Sequence, residues 1–330
     1  MPASSVTLQW NRQPASSDDS PALSPAKTTG PLRVVAGDNL QALRALRGEF
    51  TEGFTLAYVD PPFLTGKQHH RVTRERRSGK ISRTQRVAFD DRWADLGNYL
   101  DALAPRLVAI RDLLAPHGSV VVHVDPKTSH YVKVLCDEVF GASAFSSEII
   151  WRYRRWPAKT PNFQRVHDVL LRYVKDADSK PRFNQLYEPL AASTVATWGT
   201  RKQRAVVDAE GRRLRSSRTA KETPGAPLGD VWEIGIVAPV ARERTGYPTQ
   251  KPEALLARLV LALTDPGDWI LDPYLGSGTT MVVAGRLDRR SVGIDQSPEA
   301  LDVTRTRCAA RGLTLAHQQV VSLDEIAHAS

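Results

Sequence analysis

Short apolar runs alternate with stretches of helical periodicity along most of this chain. Leu32–Ala36 reads as a strand. The turn Gly37-Asp38-Asn39 then leads into Leu40, Leu43, Leu46 and Phe50, spaced for one face of a helix that Asp38 or Asn39 can cap. Phe54–Val59, rich in β-branched and aromatic residues, predicts a buried strand. Leu100, Leu103, Leu107, Ile110 and Leu114 predict a helix over 98–114 that Pro116 and Gly118 end. Next come a buried strand at 119–125, a helix at 131–140 and strands at 148–151 and 169–174. After 246 the rhythm resumes, with a helix over 252–263 that has proline at its first position, a strand at 268–271, a helix over 281–287 and a strand at 291–294. Strands alternating with helices predict βαβ units, an α/β fold with a mostly parallel sheet and helices on both faces.

Three stretches lack this rhythm. Residues 1–30, rich in Ser, Pro and Ala, are expected to be a disordered tail. Residues 67–86 have no apolar period, and Gly66 and Gly79 make them a pliable loop, a candidate lid or backbone-contacting loop. Residues 176–246 are basic and punctuated by Gly and Pro, which marks an insertion between a half at 31–175 and a half at 247–330.

Charge sharpens the picture. The net formal charge is +9, yet residues 151–221 alone hold 17 Lys or Arg against 6 Asp or Glu, and residues 67–86 hold 8 against 1. Basic segments concentrated in an otherwise acidic chain suit a polyanion met locally. Trp151, Tyr153, Trp156, Phe163 and Trp198 interleave with those cations and offer faces for bases or sugars, with some of the five expected in the core instead. No apolar run approaches the ~18 residues of a membrane span, and the N-terminus lacks a charged segment followed by an apolar one, so the expected location is the cytoplasm. Cys136 and Cys308 stand apart, in no zinc-binding spacing, so no metal is expected.

Two stretches carry chemistry. Asp60-Pro61-Pro62-Phe63 comes directly after the Phe54–Val59 strand. The prolines stiffen the loop and supply no N–H, so a carboxylate, rigid carbonyls and an aromatic face together suit a planar amine such as a nucleobase. The second stretch is Asp272-Pro273-Tyr274-Leu275-Gly276-Ser277-Gly278-Thr279-Thr280, a strand, glycine loop and helix start. It has neither the Gly-Lys-Ser/Thr of a phosphate-binding loop nor Gly-x-Gly-x-x-Gly, and Asp272 would repel a pyrophosphate. Asp272 favours an ammonium instead. Asp295, 23 residues on and at the end of the next strand, can accept the hydroxyls of a ribose. S-adenosylmethionine has both groups. An NAD-linked oxidoreductase is the competing reading of the glycine loop, but it needs neither Asp60-Pro61-Pro62-Phe63 nor the basic insertion.

Together with Gly293-Ile294-Asp295, these motifs resemble the bacterial amino-methylating DNA methyltransferases. The catalytic motif precedes the cofactor motif, as in the β group of that family. Tyr247-Pro248-Thr249-Gln250-Lys251-Pro252-Glu253 is similar to a further cofactor-side motif, and Gly37-Asp38-Asn39 to a short N-terminal one. The resemblance implies a Rossmann-like S-adenosylmethionine-dependent methyltransferase fold and a target-recognition role for 176–246. Asp60, Pro61, Pro62 and Phe63 are the implied catalytic residues. The implied cofactor-binding residues are Asp38, Asn39, Thr249, Gln250, Lys251, Asp272, Tyr274, Gly276, Ser277, Gly278, Thr279, Thr280 and Asp295. Implied partners are double-stranded DNA, a second copy in a homodimer and a cognate restriction endonuclease. The implied reaction is direct methylation of a flipped base's exocyclic amine, adenine N6 favoured over cytosine N4 because Asp60 stands first in its motif. Resembling enzymes that act on RNA or on protein glutamine often have Asn there.

Overall fold

The computed structural model describes residues 22–23, 30–50, 52–77, 80–157, 159 and 161–321. The expectation of disorder over 1–30 therefore lies almost wholly outside the described residues; Ala22–Leu23 pair antiparallel with Leu315–Val321. Among the described residues no helix is long and apolar enough to cross a membrane.

The chain forms two compact units, residues 184–229 and the rest. The larger is built on a ten-stranded sheet. In spatial order its strands are Ala22–Leu23, Leu315–Val321, Leu32–Ala36, Arg290–Asp295, Trp269–Asp272, Phe54–Val59, Leu114–Val124, His167–Val174, Phe145–Arg152 and Val231–Glu233. The six from Leu315–Val321 to Leu114–Val124 are mutually parallel. His167–Val174 runs against its two neighbours.

Helices Asn39–Leu46, Leu96–Leu113 and Ser129–Phe140 pack in sequence on one another, and helices Glu253–Leu263, Thr279–Arg286 and Pro298–Ala309 do the same. Crossovers through the first group run one way along the sheet, and those through the second run the other way. Right-handed connections therefore set the two groups on opposite faces. Sequence patterning dictates this: all six residues of Phe54–Val59 are buried, as a strand covered on both faces requires.

The sheet changes direction between Trp269–Asp272 and Phe54–Val59, where α/β proteins open a crevice at the carboxyl ends of their strands. Along that edge five neighbouring parallel strands each deliver an aspartate within two residues of their ends: Asp38, Asp295, Asp272, Asp60 and Asp125.

Several expectations need correction. Residues 67–86 are not a pliable loop but part of a hairpin, Lys67–Arg77 with Lys80–Asp91. Backbone pairing holds it without a continuous apolar face, which is why no alternation shows in its sequence. Pro252 sits just before helix Glu253–Leu263 rather than inside it, and helix Leu96–Leu113 carries Pro105 in its interior. Residues 176–183 and 230–246 belong to the larger unit. Trp232 pairs with Trp151 in the sheet. The smaller unit contains a hairpin, Arg201–Val207 with Arg213–Glu222, a short helix Ala192–Trp198 and a two-residue pairing of Tyr187–Glu188 with Ala226–Pro227.

Candidate active site

Asp60 leaves the carboxyl end of its strand into the Pro61-Pro62 loop, and a buried carboxylate sets the path of that loop. Asp91, at the end of the hairpin, accepts hydrogen bonds from the backbone N–H groups of Phe63 (3.2 Å), Leu64 (2.9 Å) and Thr65 (2.9 Å), from the Thr65 hydroxyl (2.5 Å) and from the Trp93 indole (3.2 Å). Three consecutive loop amides thus find one anchor, which substitutes for the secondary structure that the prolines forbid. The Asp60 carboxylate receives the Lys251 ammonium at 2.8 and 2.6 Å. The same ammonium lies 5.0 Å from the centre of the Phe63 ring.

Behind Asp60 sits His123, fully buried. Its Nδ1 is 2.7 Å from the Tyr58 hydroxyl and 3.7 Å from Asp60 Oδ1, and its Nε2 is 3.3 Å from Asp168. Asp168 also accepts from the Tyr153 hydroxyl at 2.9 Å. Burial opposes ionisation of Asp168, but its bonds from His123 and Tyr153 and the nearby Lys251 outweigh it and hold the carboxyl below its ordinary value.

On the adjacent strand Asp272 is buried, and desolvation raises its carboxyl to about 7; hydrogen bonds from Thr280 and the Tyr274 N–H oppose the rise, and Asp60 and Asp295 add to it. Asp295 is raised as well, chiefly by burial, although its oxygens accept the N–H groups of Gly276 and Ser297 at 2.8 Å each. Gly278 adopts φ +70°, and a Cβ there would lie 2.6 Å from the Thr304 hydroxyl, so glycine is required for the loop to close onto helix Pro298–Ala309. Arg307 of that helix donates to the Ser277 carbonyl (3.1 Å) and the Thr279 hydroxyl (2.8 Å), and its other nitrogen pairs with Glu253 at 2.8 Å.

These elements enclose a cavity of about 340 Å³, in the size range of small-ligand sites. Asp60, Phe63, Asp272, Gly276, Tyr247 and Asp295 line it, together with the wall of helix Leu96–Leu113 at Tyr99, Ala102, Leu103 and Arg106. Arg106 binds Asp38 at 3.0 Å and also donates to Asn39, whose amide donates to the Pro273 carbonyl at 2.9 Å. The hairpin closes another side: His69 stacks on Phe89 at 4.6 Å, and Arg71 and Arg86 each reach Glu299 at 2.9 Å.

All the residues marked from sequence except Gly278 line this cavity. Their side chains divide. Gln250 turns into its own loop, accepting from Thr245 and donating to the Glu243 carbonyl. Ser277 and Thr279 serve Arg307, and Lys251 serves Asp60. Asp38 caps the Asn39–Leu46 helix through the N–H groups of Leu40 and Gln41. Of the aromatics read among the cations, Trp151 on strand Phe145–Arg152 and Tyr153 directly after it are core residues, whereas Trp156 and Phe163 are exposed. Sequence reasoning missed Asp91, His123, Asp168, Tyr99, Arg106 and Arg307. All but Tyr99 act through a partner distant in sequence, the buried Tyr99 hydroxyl has no hydrogen-bond partner among the described residues, and none of the six sits in a recurrent motif.

Residues 54–306 match the DNA methylase family model that is named for N6 and N4 methyltransferases. The chain belongs to that family. The DNA adenine methyltransferase YhdJ of Escherichia coli (strain K12) is 27% identical over 267 residues, 81% of this chain and 79% of YhdJ. Two solved structures share the fold at 17% identity. The PvuII DNA methyltransferase (cytosine-N4-specific) matches with a TM-score of 0.54 over 85% of this chain and 87% of that one. The M1.HpyAVI–SAM complex matches with a TM-score of 0.51 over 84% and 98%.

Proposed function

We propose that this DNA methylase transfers a methyl group from S-adenosylmethionine to the exocyclic amino nitrogen of a base flipped out of double-stranded DNA, with adenine N6 as the target. One observation carries the reading. Two adjacent parallel strands end side by side, so that the acceptors of Asp60-Pro61-Pro62-Phe63 and the glycine loop share one cavity.

The cavity suits a cationic ligand. Asp38, Asp60, Asp272 and Asp295 line it against Lys251 and Arg106, and both cations are already paired with Asp60 or Asp38. The buried Tyr99 hydroxyl has no hydrogen-bond partner among the described residues, a group that a ligand would satisfy. Asp295 would hold the ribose hydroxyls and Asp272 would face the cationic end. When bound, S-adenosylmethionine supplies an electrophilic methyl on a sulfonium. Asp60 and the Pro61 carbonyl would accept hydrogen bonds from the two N–H groups of the amine and free its lone pair, the Asp60 carboxylate would take up the one proton that the methylated nitrogen sheds, and Phe63 offers its ring to the base. A base within a duplex cannot reach this crevice, which is why flipping is needed. Cys136 and Cys308 are buried, and desolvation raises both thiols, Cys308 to about 11, so neither suits the thiolate chemistry of C5 methylation.

Asp60 at the head of its motif favours adenine, and YhdJ carries that specificity in its name. Cytosine N4 is the second reading, since it too is an exocyclic amine beside a ring nitrogen. We assign the unit at 184–229, with exposed Arg201, Lys202, Arg204 and Arg212, to target recognition, and the hairpin to phosphate contact. The order of motifs, catalytic before cofactor, supports a reading of the chain as a β-group enzyme. A homodimer and a cognate endonuclease fit the same reading. The test is to express the protein on a plasmid in a methylation-free host, digest the DNA to nucleosides for mass spectrometry and map the modified positions. N6-methyladenine in one sequence is the expected product. N4-methylcytosine alone would overturn the target assignment, and unmodified DNA the activity.

The raised Asp272 carboxyl gives S-adenosylmethionine binding a pH dependence. Below about 7 the group is protonated and neutral, and above it the carboxylate favours a cation. Affinity is therefore expected to rise as pH increases from 6 to 7.5, by less than tenfold per unit, until the ligand's own amine begins to lose its proton near ~8. Calorimetry across that window, with Asp272→Asn expected to be weaker and flat, checks the assignment; equal slopes in both proteins would refute it.

A further inference from the structure

Residues 153–166 connect strand Phe145–Arg152 to strand His167–Val174, antiparallel neighbours in the sheet. Because His167–Val174 also opposes Leu114–Val124, this connection leaves the sheet at the same carboxyl edge as Asp60 and Asp125. Its base is fixed. The Tyr153 N–H donates to the Val166 carbonyl at 2.8 Å, and Arg165 reaches Asp125 at 2.9 Å. Tyr153 hydrogen-bonds Asp168, which holds His123 behind Asp60. Farther out, the Gln164 amide donates to the Trp156 carbonyl at 2.7 Å and ties the two limbs together.

The loop's outer part is unusual in what it exposes. Trp156 is 92% exposed and Phe163 fully so, whereas Trp151 and Tyr153 just before them are buried. Two large aromatic side chains left wholly in water on one anchored loop mark a contact surface. Arg154, Arg155, Lys159 and Arg165 share the loop, and residues 153–166 contain no acidic residue. That composition selects the partner. Two copies meeting through this loop about a twofold axis would set like charges against each other. A duplex offers phosphates for the cations and base faces for the rings.

We propose that the two limbs of this connection, residues 153–157 and 161–166, form a wedge that enters duplex DNA, with Trp156 and Phe163 stacking in the space that the target base leaves when it turns toward Asp60. Arg154 and Arg155 hold the phosphates beside it. The inference rests on the base-flipping reading above and adds the element that stabilises the opened helix. Apolar side chains inserted between base steps are a general means of doing so.

The test uses the full chain and a duplex carrying the sequence that it modifies on plasmid DNA, with 2-aminopurine at the target adenine, or pyrrolocytosine if the mapped target is cytosine. In wild type, binding raises the probe's fluorescence as the base leaves the stack. The double variant Trp156→Ala/Phe163→Ala is expected to lose that signal and to slow single-turnover methylation by roughly ten- to a hundredfold. S-adenosylmethionine affinity and the salt slope of DNA binding should hold at wild-type values. Arg154→Ala should instead lower the salt slope by about 0.9. Equal flipping by the double variant and wild type overturns the wedge. So does a double variant that flips normally but sediments as a smaller species, which would make the aromatics a protein interface. A wild type that binds the duplex without any rise in fluorescence refutes base flipping itself, a failure distinct from the other two.

Discussion

Asp60→Ala is expected to lower the single-turnover methylation rate by roughly 10²–10⁴, the range for loss of a positioned proton acceptor, while S-adenosylmethionine still binds. The structure adds a complication to this experiment. Lys251 donates to both Asp60 oxygens and is itself buried, so the single variant also strands an ammonium in the cavity. An unpaired buried charge has its own cost and could repel a cationic ligand. Asp60→Ala/Lys251→Ala removes that charge and isolates the loss of the acceptor. Calorimetry and single-turnover assays on both variants separate the effects. If the double variant methylates DNA at the wild-type rate, Asp60 is not the acceptor.

The largest effect on stability is expected at Asp91. Its carboxylate is 1% exposed and anchors three consecutive amides, a hydroxyl and an indole. Asp91→Ala leaves those donors without their acceptor in a loop whose prolines bar any rearrangement into helix or strand. At ~1–3 kcal/mol for each donor left buried and unpaired, and with partial access of water to the loop, the expected loss is about 3 kcal/mol or more. Urea denaturation should show a lower midpoint at an unchanged slope. Asp91→Asn retains one acceptor oxygen and should fall between. A midpoint for Asp91→Ala equal to that of wild type would show that the amides find other partners. Turnover should suffer as well, because the same loop carries Phe63.

The strands that carry the chemistry were legible because burial on both faces writes continuous apolar runs, and the aspartates mark where those runs end. The glycine loop was legible for a similar reason, since its conformation demands particular residues at fixed places. What escaped was whatever depends on contact across the chain. The pairing of Lys251 with Asp60 spans 191 residues, and nothing local to either announces it. His123 lies within an apolar run and reads as part of a strand. The hairpin at 67–91 has charges on both strands and little core to cover, so periodicity fails there even though the structure is regular. For Trp151 and Tyr153 the difficulty ran the other way, since composition alone left open which of the aromatics belong to the core. Arginines flank them in sequence, yet strand alternation sends the arginines outward and the rings into the core.

The neighbouring strands that deliver Asp60 and Asp272 are joined by backbone hydrogen bonds, not by a short connection in the chain. The strand nearest the start of the described residues, Ala22–Leu23, pairs with the last one, Leu315–Val321. A chain linked across that pairing and cut within 184–229 would retain every strand-to-strand contact of the sheet while reversing the order of its two halves. The fold is thus compatible with circular permutation, and nothing in the chemistry at the carboxyl edge requires the acceptor half to be synthesised before the cofactor half.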